Sequence, residues 1–459
     1  MVNELRELMR ENVGEPPPDH LDLGAVVGAG RRRVRTRRRL VTGGAALAVA
    51  AVVATGALLT PLGGAPGGDG RTDAAAGRGA PPAPDAPTIT LADAEPAVEG
   101  RDYEVLTSHT NQNLNRDNGE YLEGTTDDGL VLFRDGPKLD RLYPTYSLLD
   151  PATGERDELP RLRIGQAQAW PLELSRERLV LLGNDESDVS GLDDLPLVAH
   201  VFDRGTREWS TIAWPDLPPV GFPSGDIGPD GRLYVGVPAT QGGPPPGGWP
   251  VGEDGEADDS DAPGDTFRLW SVSLTDPADA RDEGLSVGDV AFTDDAMVWT
   301  DSTNGEAGRV HVRDLATGEE SSFDPRSGER CNLLGFGASG DRIVMGQYCG
   351  DYEGGVRDDR VQVLTTSGEQ VVTLQDSGID GHLPAGSEVV PVQSWGSTRR
   401  DPDAGYYAYD LASDRLLKLA DAVSNFGVGG PTAGPREVMW HVPVNRRNGV
   451  TRYVGRLLD

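Results

Sequence analysis

The sequence predicts an all-β chain whose bulk is a seven-bladed β-propeller, joined by a flexible linker to a single N-terminal transmembrane helix. Three observations carry this prediction. A short apolar strand after a polar turn recurs seven times. A 21-residue run without charge follows an arginine-rich flank. Between the two lies a stretch of almost nothing but Gly, Ala and Pro.

Residues 1–39 carry nine Arg and six Asp or Glu, a net of +3. Within 3–13, Leu5, Leu8, Met9 and Val13 fall on one helical face, and Pro16-Pro17-Pro18 ends that helix. Residues 40–60 (LVTGGAALAVAAVVATGALLT) have no charged side chain, and a helix of that length covers about 30 Å, the hydrocarbon thickness of a bilayer. Seven arginines between Arg31 and Arg39 place the N-terminus in the cytoplasm by the positive-inside rule. The rival reading is a cleaved signal peptide; the long leader and the length of the run favour an uncleaved anchor.

From 61 to 87, 20 of 27 residues are Gly, Ala or Pro, which is a tether without apolar periodicity. Beyond it, residues 88–459 repeat. The recurring strand reads DGLVLF, ERLVLL, GRLYVG, DAMVWT, DRIVMG, SEVVPV and REVMWH, anchored at Leu130, Leu179, Leu233, Met297, Ile343, Val389 and Val438. The steps are 49, 54, 64, 46, 46 and 49 residues. An alternating strand, a turn and a second alternating strand follow most anchors, as in YSLLDPATGERDEL and VHVRDLATGEESSF. Asp-x-x-Thr-Gly in that turn suits a hairpin whose glycine takes a positive φ. With one more apolar stretch before each anchor, every period holds four strands, a to d. Seven such periods point to a propeller rather than a two-sheet sandwich. The last period runs out soon after strand c, and 88–107 is expected to complete the seventh blade, removing an exposed sheet edge.

The turn grammar (PDGRLYV, DLATGE) over 88–459 resembles the WD40-like, TolB-like and quinoprotein-like propellers of bacteria. The resemblance implies the fold and leaves activity open. The leader similarly resembles the short cytoplasmic ends of membrane proteins linked to extracytoplasmic-function sigma factors. It lacks the His-x-x-x-Cys-x-x-Cys zinc motif of one such group.

Charge narrows the partners. Residues after the leader hold 33 basic and 68 acidic side chains, a net of −35, which disfavours nucleic acid and anionic headgroups. Cationic or neutral ligands, proteins and metal ions are left. Only Lys138 and Lys418 stand beside 40 arginines; with 61 Gly and 35 Pro this is a compositional bias, so no exposed Arg is singled out. The two cysteines, Cys331 and Cys349, flank one hairpin and are expected to form a disulfide outside the cytoplasm, with buried free thiols as the alternative.

The b–c and d–a connections of a propeller share one face. The longest b–c segments are acidic and belong to blades two, three and five. They hold Asp185, Glu186, Asp188, Asp193 and Asp194; Asp258, Asp259 and Asp261 with Asp265 beyond; and Asp351 and Glu353. Trp249 and Trp395 lie in the same class of segment as candidate binding aromatics. Neither acidic set has the EF-hand spacing, so no metal or cofactor is expected. The five histidines after the linker (His109, His200, His311, His382 and His441) are scattered, and no nucleophile elbow, Walker A loop or zinc pair occurs. The sequence therefore reads as a non-catalytic binding or sensing module displayed outside a bacterial membrane. Its partner outside is an unidentified protein or small molecule. The alternative is a transmembrane regulator whose leader contacts a sigma factor or another cytoplasmic partner. A propeller hydrolase or lyase is a third class, recognisable by charged groups converging on one pocket.

Overall fold

A computed structural model describes residues 86–459 apart from 113–118, 137–142, 163–168, 185–195, 221–224, 241–263, 328–330, 349–358, 377, 396–401, 424–429 and 445–448. The leader, the predicted membrane helix and nearly all of the linker thus lie outside the described residues. No helix among the described residues is long and apolar enough to cross a membrane.

Seven sheets follow one another along the chain. Blades one to six span Glu120–Glu158, Trp170–Ala213, Asp226–Val287, Val290–Phe323, Asn332–Gln375 and Ile379–Ala420, each a four-stranded antiparallel meander. Blade seven contains Glu437–Pro443 and Val450–Leu457, completed by an N-terminal strand. The predicted propeller is therefore the observed fold.

The seven b strands explain why the repeat was readable. In blade two, Leu179 and Leu181 pack toward blade one, against Leu132, Tyr146 and Leu148. The intervening Val180 and Leu182 pack toward blade three, against Leu233, Val235 and Val272. Covered on both faces, such a strand reads as a continuous apolar run instead of alternating. The core consequently lies in the seams between neighbouring blades. Seam five–six, for example, joins Val344, Val361 and Val363 to Val390, Val392, Tyr407 and Tyr409.

The c–d hairpins behave as the motif demands. In blade one the Asp150 carboxylate accepts from the Ala152 N–H at 2.8 Å and the Thr153 hydroxyl at 2.9 Å. Gly154 then takes φ 74°, and Gly318 repeats this in blade four at φ 73°. Blades two and six place Arg207 and Asp414 at the same point, with φ 60° and 55°.

Ring closure differs in detail from the expectation for 88–107. Strand β3, Tyr103–Asn111, pairs antiparallel with Val450–Leu457 and is the outer strand of blade seven. The residues before it serve other blades. β1 (Thr88–Ile89) adds in parallel to the outer strand of blade five, and β2 (Glu95–Pro96) to that of blade six. Leu91, 3% exposed, plugs the seam between them. Asp102 fastens the strap by accepting from the Val98 N–H at 2.8 Å and from Arg415 at 3.1 Å. Periodicity could not show this, because two-residue strands have no period.

Cys331 is buried and is not a free thiol; Cys349 lies outside the described residues. The strand pair between them places Asn332 opposite Tyr348. Closing this hairpin should contribute about 3 kcal/mol by loop entropy. Intact mass under non-reducing, alkylating conditions is expected to show no labelled cysteine in the full chain. Two labelled cysteines would refute the pairing.

Candidate functional site

Strands a and c begin, and strands b and d end, at one end of the ring, where the b–c and d–a connections emerge. The strand order places both ends of the acidic segments of blades two, three and five at this end. Asp185, Glu186, Asp188, Asp193, Asp194, Asp258, Asp259, Asp261, Asp351, Glu353 and Trp249 themselves lie outside the described residues. Trp395 is described: it follows strand b of blade six at this end, 37% exposed, its N–H donating to the Gly378 carbonyl at 3.1 Å.

Beneath these connections the seams turn polar. In blade one, Arg134 ends strand b and lies 4% exposed against Glu123 of strand a, with Nε 2.6 Å from the Glu123 carboxylate. The Arg134 guanidinium lies over the Tyr121 ring at 4.2 Å from its centroid. Arg452, from strand c of blade seven, approaches the same ring at 5.5 Å and donates to the Leu122 carbonyl. Burial works against the charge of both arginines. For Arg134 the Glu123 carboxylate more than offsets it, whereas the Arg452 pKa is held below its ordinary value. His441, opposite Arg452 in the ladder, lies 3.4 Å from the Tyr406 hydroxyl.

Blades five and six contribute amides. The Gln347 amide donates to Gln362, which lies within reach of Gln370 at 3.3 Å. Gln393 donates to Asp380 at 3.3 Å, and burial raises the Asp380 pKa. His382, on the same inner strand's exit, is held neutral by burial, its pKa pushed down to about 4.

Blades three and four bring carboxylates together. Asp265 is 4% exposed and accepts from the Asn304 amide at 2.9 Å. Asp289 accepts from the Thr303 hydroxyl at 2.7 Å. Burial, with the Asp265 charge adding to it, raises the Asp289 pKa to about 6. Asp226, at the start of strand a, is raised by burial and by Asp289 to about 7. A carboxyl whose folded pKa lies above its unfolded value of about 3.9 binds its proton more tightly when folded. Its contribution is complete below pH 4 and is lost as pH rises toward 7. Asp226→Asn should therefore gain on the order of 2 kcal/mol at pH 7.5 and nothing at pH 4, read by urea melts at both pH values. An equal effect at the two pH values would refute the shift.

One property unites this end. Among the described residues, Asn111 Oδ1, Arg134 Nη2, Tyr146 Oη, Asn184 Nδ2, Gln347 Oε1 and Gln393 Oε1 are buried without a hydrogen-bond partner. Each lies at the end of strand b or d, or at the start of strand c. At the opposite end, buried charges are saturated. Asp410 pairs with Arg436 at 3.0 Å, and Glu437 takes Arg456, Thr125 and the Gly434 N–H. A buried polar atom left without a partner costs about 1–3 kcal/mol, so its accumulation at one end requires a cause.

Sequence reasoning names residues in the connections at this end, not these. Arg134 and Glu123 are eleven residues apart, and Arg452 is 330 from Leu122. The only available signal was a charged residue inside an otherwise apolar run, such as Arg134 in GLVLFRD. Of the histidines, four lie in strands: His109, His200, His311 and His441. They pair separately, His109 with Glu120 at 3.0 Å and His311 with Asp301 at 2.7 Å. Among the described residues no group of three or more His, Cys, Asp or Glu is arranged to hold a metal ion.

No protein-family model matches this chain, and no curated protein matches it. Solved structures do. An oligogalacturonate lyase from Vibrio parahaemolyticus aligns at 13% identity over 78% of this chain and 98% of its own, with a TM-score of 0.48. The propeller domain of the Trilobed protease from Pyrococcus furiosus aligns at 10% identity over 70% and 87%, TM-score 0.43. TolB from Acinetobacter baumannii aligns at 12% over 56% of each chain, TM-score 0.30. What this chain shares with them is the propeller architecture that its own seven sheets display.

Proposed function

We propose that this protein is a membrane-tethered propeller that binds a ligand on the b–c/d–a face and acts as a recognition or sensing module outside the cell membrane. The supporting observation is the gathering of unpartnered buried donors and acceptors at that end, beside saturated charges at the other. Rigid strands present these groups, and the connections above them are where propeller-type scaffolds carry recognition. The titratable groups stand in three separate clusters, which favours recognition over acid–base chemistry on one substrate.

The anchor rests on the charge step between Arg31–Arg39 and residues 40–60. Membrane fractionation of the full chain, followed by protease treatment of intact cells, is expected to find the propeller in the membrane pellet and cleavable from outside. Hydrogen exchange on the full chain during a small-molecule and protein ligand screen tests the face. Protection should appear at the starts of strands c and the ends of strands b. Ligand-induced protection confined to the c–d hairpins would sink the reading.

A further inference from the structure

We propose that the seam between blades seven and one holds an anion-recognition site, formed by Arg134, Arg452 and Tyr121, for the carboxylate or phosphate group of a small molecule. The proposal rests on the binding reading above and gives one part of that face its chemistry.

The two guanidinium groups are buried, Arg134 at 3% and Arg452 at 8% exposure. Both approach one ring, Tyr121, so they are no farther apart than their two distances to its centroid together. Among the described residues the one carboxylate hydrogen-bonded to either guanidinium is Glu123, engaged by Arg134 Nε, while Glu120 at the mouth of the seam is taken up by His109. Arg134 Nη2 has no acceptor among the described residues, and the hydrogen bond of Arg452 goes to a backbone carbonyl rather than to an anion. The neighbouring Tyr146 hydroxyl is also buried and has no partner among the described residues, a further donor. Tyr121 is only partly buried and stands at the start of strand a, at the mouth of the seam.

A buried guanidinium with spare N–H groups is costly unless an anion accompanies it. Planar N–H pairs match carboxylate and phosphate oxygens. The surrounding chain has a net charge of −35 after the leader. Long-range attraction does not bring an anion here, so binding depends on local, desolvated contacts, which salt screens weakly. A purely structural arginine would instead be expected to carry a matched carboxylate, as Asp410 does for Arg436 in seam six–seven.

The test is thermal unfolding of the full chain with inorganic phosphate, with citrate, and with sodium chloride at matched ionic strength. Phosphate or citrate should raise Tm while chloride does not. A response to phosphate alone assigns a phosphate group, and a response to citrate alone a carboxylate. Arg452→Met should abolish the rise and, by removing an unaccompanied buried charge, leave the ligand-free Tm unchanged or higher. Tyr121→Glu supplies an internal carboxylate and should abolish the rise in a folded protein even if Arg452→Met does not fold. Arg207→Gln, in an exposed pair with Asp157 on another seam, should leave it intact. Absence of any rise in the wild type, or a rise unaltered in Arg452→Met or Tyr121→Glu, overturns the proposal. Discovery of a non-anionic ligand on the same face would overturn this site while sparing the binding function.

Discussion

A chain that begins at residue 112 should not fold. It lacks β3, whose eight ladder positions close blade seven and whose Tyr103 and Val105 cover Trp440. Without it, Val450–Leu457 becomes a bare sheet edge. The ladder bonds at about 0.5–1.5 kcal/mol each and the apolar side chains at about 1.5–3 kcal/mol together lose on the order of 10 kcal/mol. That matches the whole stability of an ordinary domain, roughly 5–15 kcal/mol. A chain beginning at 102 is the informative comparison. It loses β1, β2 and Leu91 but keeps the closing strand, so it should fold with a penalty of about 3 kcal/mol. Circular dichroism melts separate the two outcomes. A cooperative melt from the chain beginning at 112, within a few degrees of the parent, would show that the ring holds without its closing strand.

Glu123→Ala should cost about 3–5 kcal/mol, the usual penalty for stranding one member of a buried ion pair. Glu123 is the one carboxylate paired with the Arg134 guanidinium among the described residues, and its loss leaves that buried guanidinium without its ion-pair partner. Because the pair is desolvated, high salt should not rescue the variant. Removing both partners, as Glu123→Gln with Arg134→Met, should recover most of the loss. Urea denaturation of the single and double variants measures this. A loss below about 1 kcal/mol in Glu123→Ala would mean that water reaches the pair.

The two predictions draw on features that differ in how far the sequence displays them. The b strands were legible because LVLL and RIVM segments are buried on both sides by adjacent blades, and the c–d turns because Asp150 and Asp314 need a fixed spacing to their glycines. The inner strands are legible only as the apolar stretch before each anchor, without a period of their own. Asp226–Ile227 and Val290–Phe292 are too short to show a period, and seam packing rather than propensity holds them. The polar layer escaped for another reason. Its members come from strands hundreds of residues apart, so Arg452 and Tyr121 become neighbours only once the ring closes. Attention went instead to the acidic connections, whose composition is conspicuous but whose residues make no pattern. Topology shows which connections share an end of the ring; it does not show which buried groups lie beneath them.

The strap also sets an order in time. β1 to β3 leave the ribosome before any complete blade, yet Thr110 meets its partner Thr451 across 341 residues of sequence. At roughly 5–20 residues per second, synthesis of that interval takes about 17–70 s. Throughout it the N-terminal strands have no sheet to join, while blades one to six can form in succession behind them. Ring closure therefore waits until blades one to six have been synthesised, and contacts this distant in sequence are slow to make. Until then the chain carries two unjoined sheet edges. An interrupted or truncated chain exposes both at once, giving quality-control proteases a direct signal that the protein is unfinished.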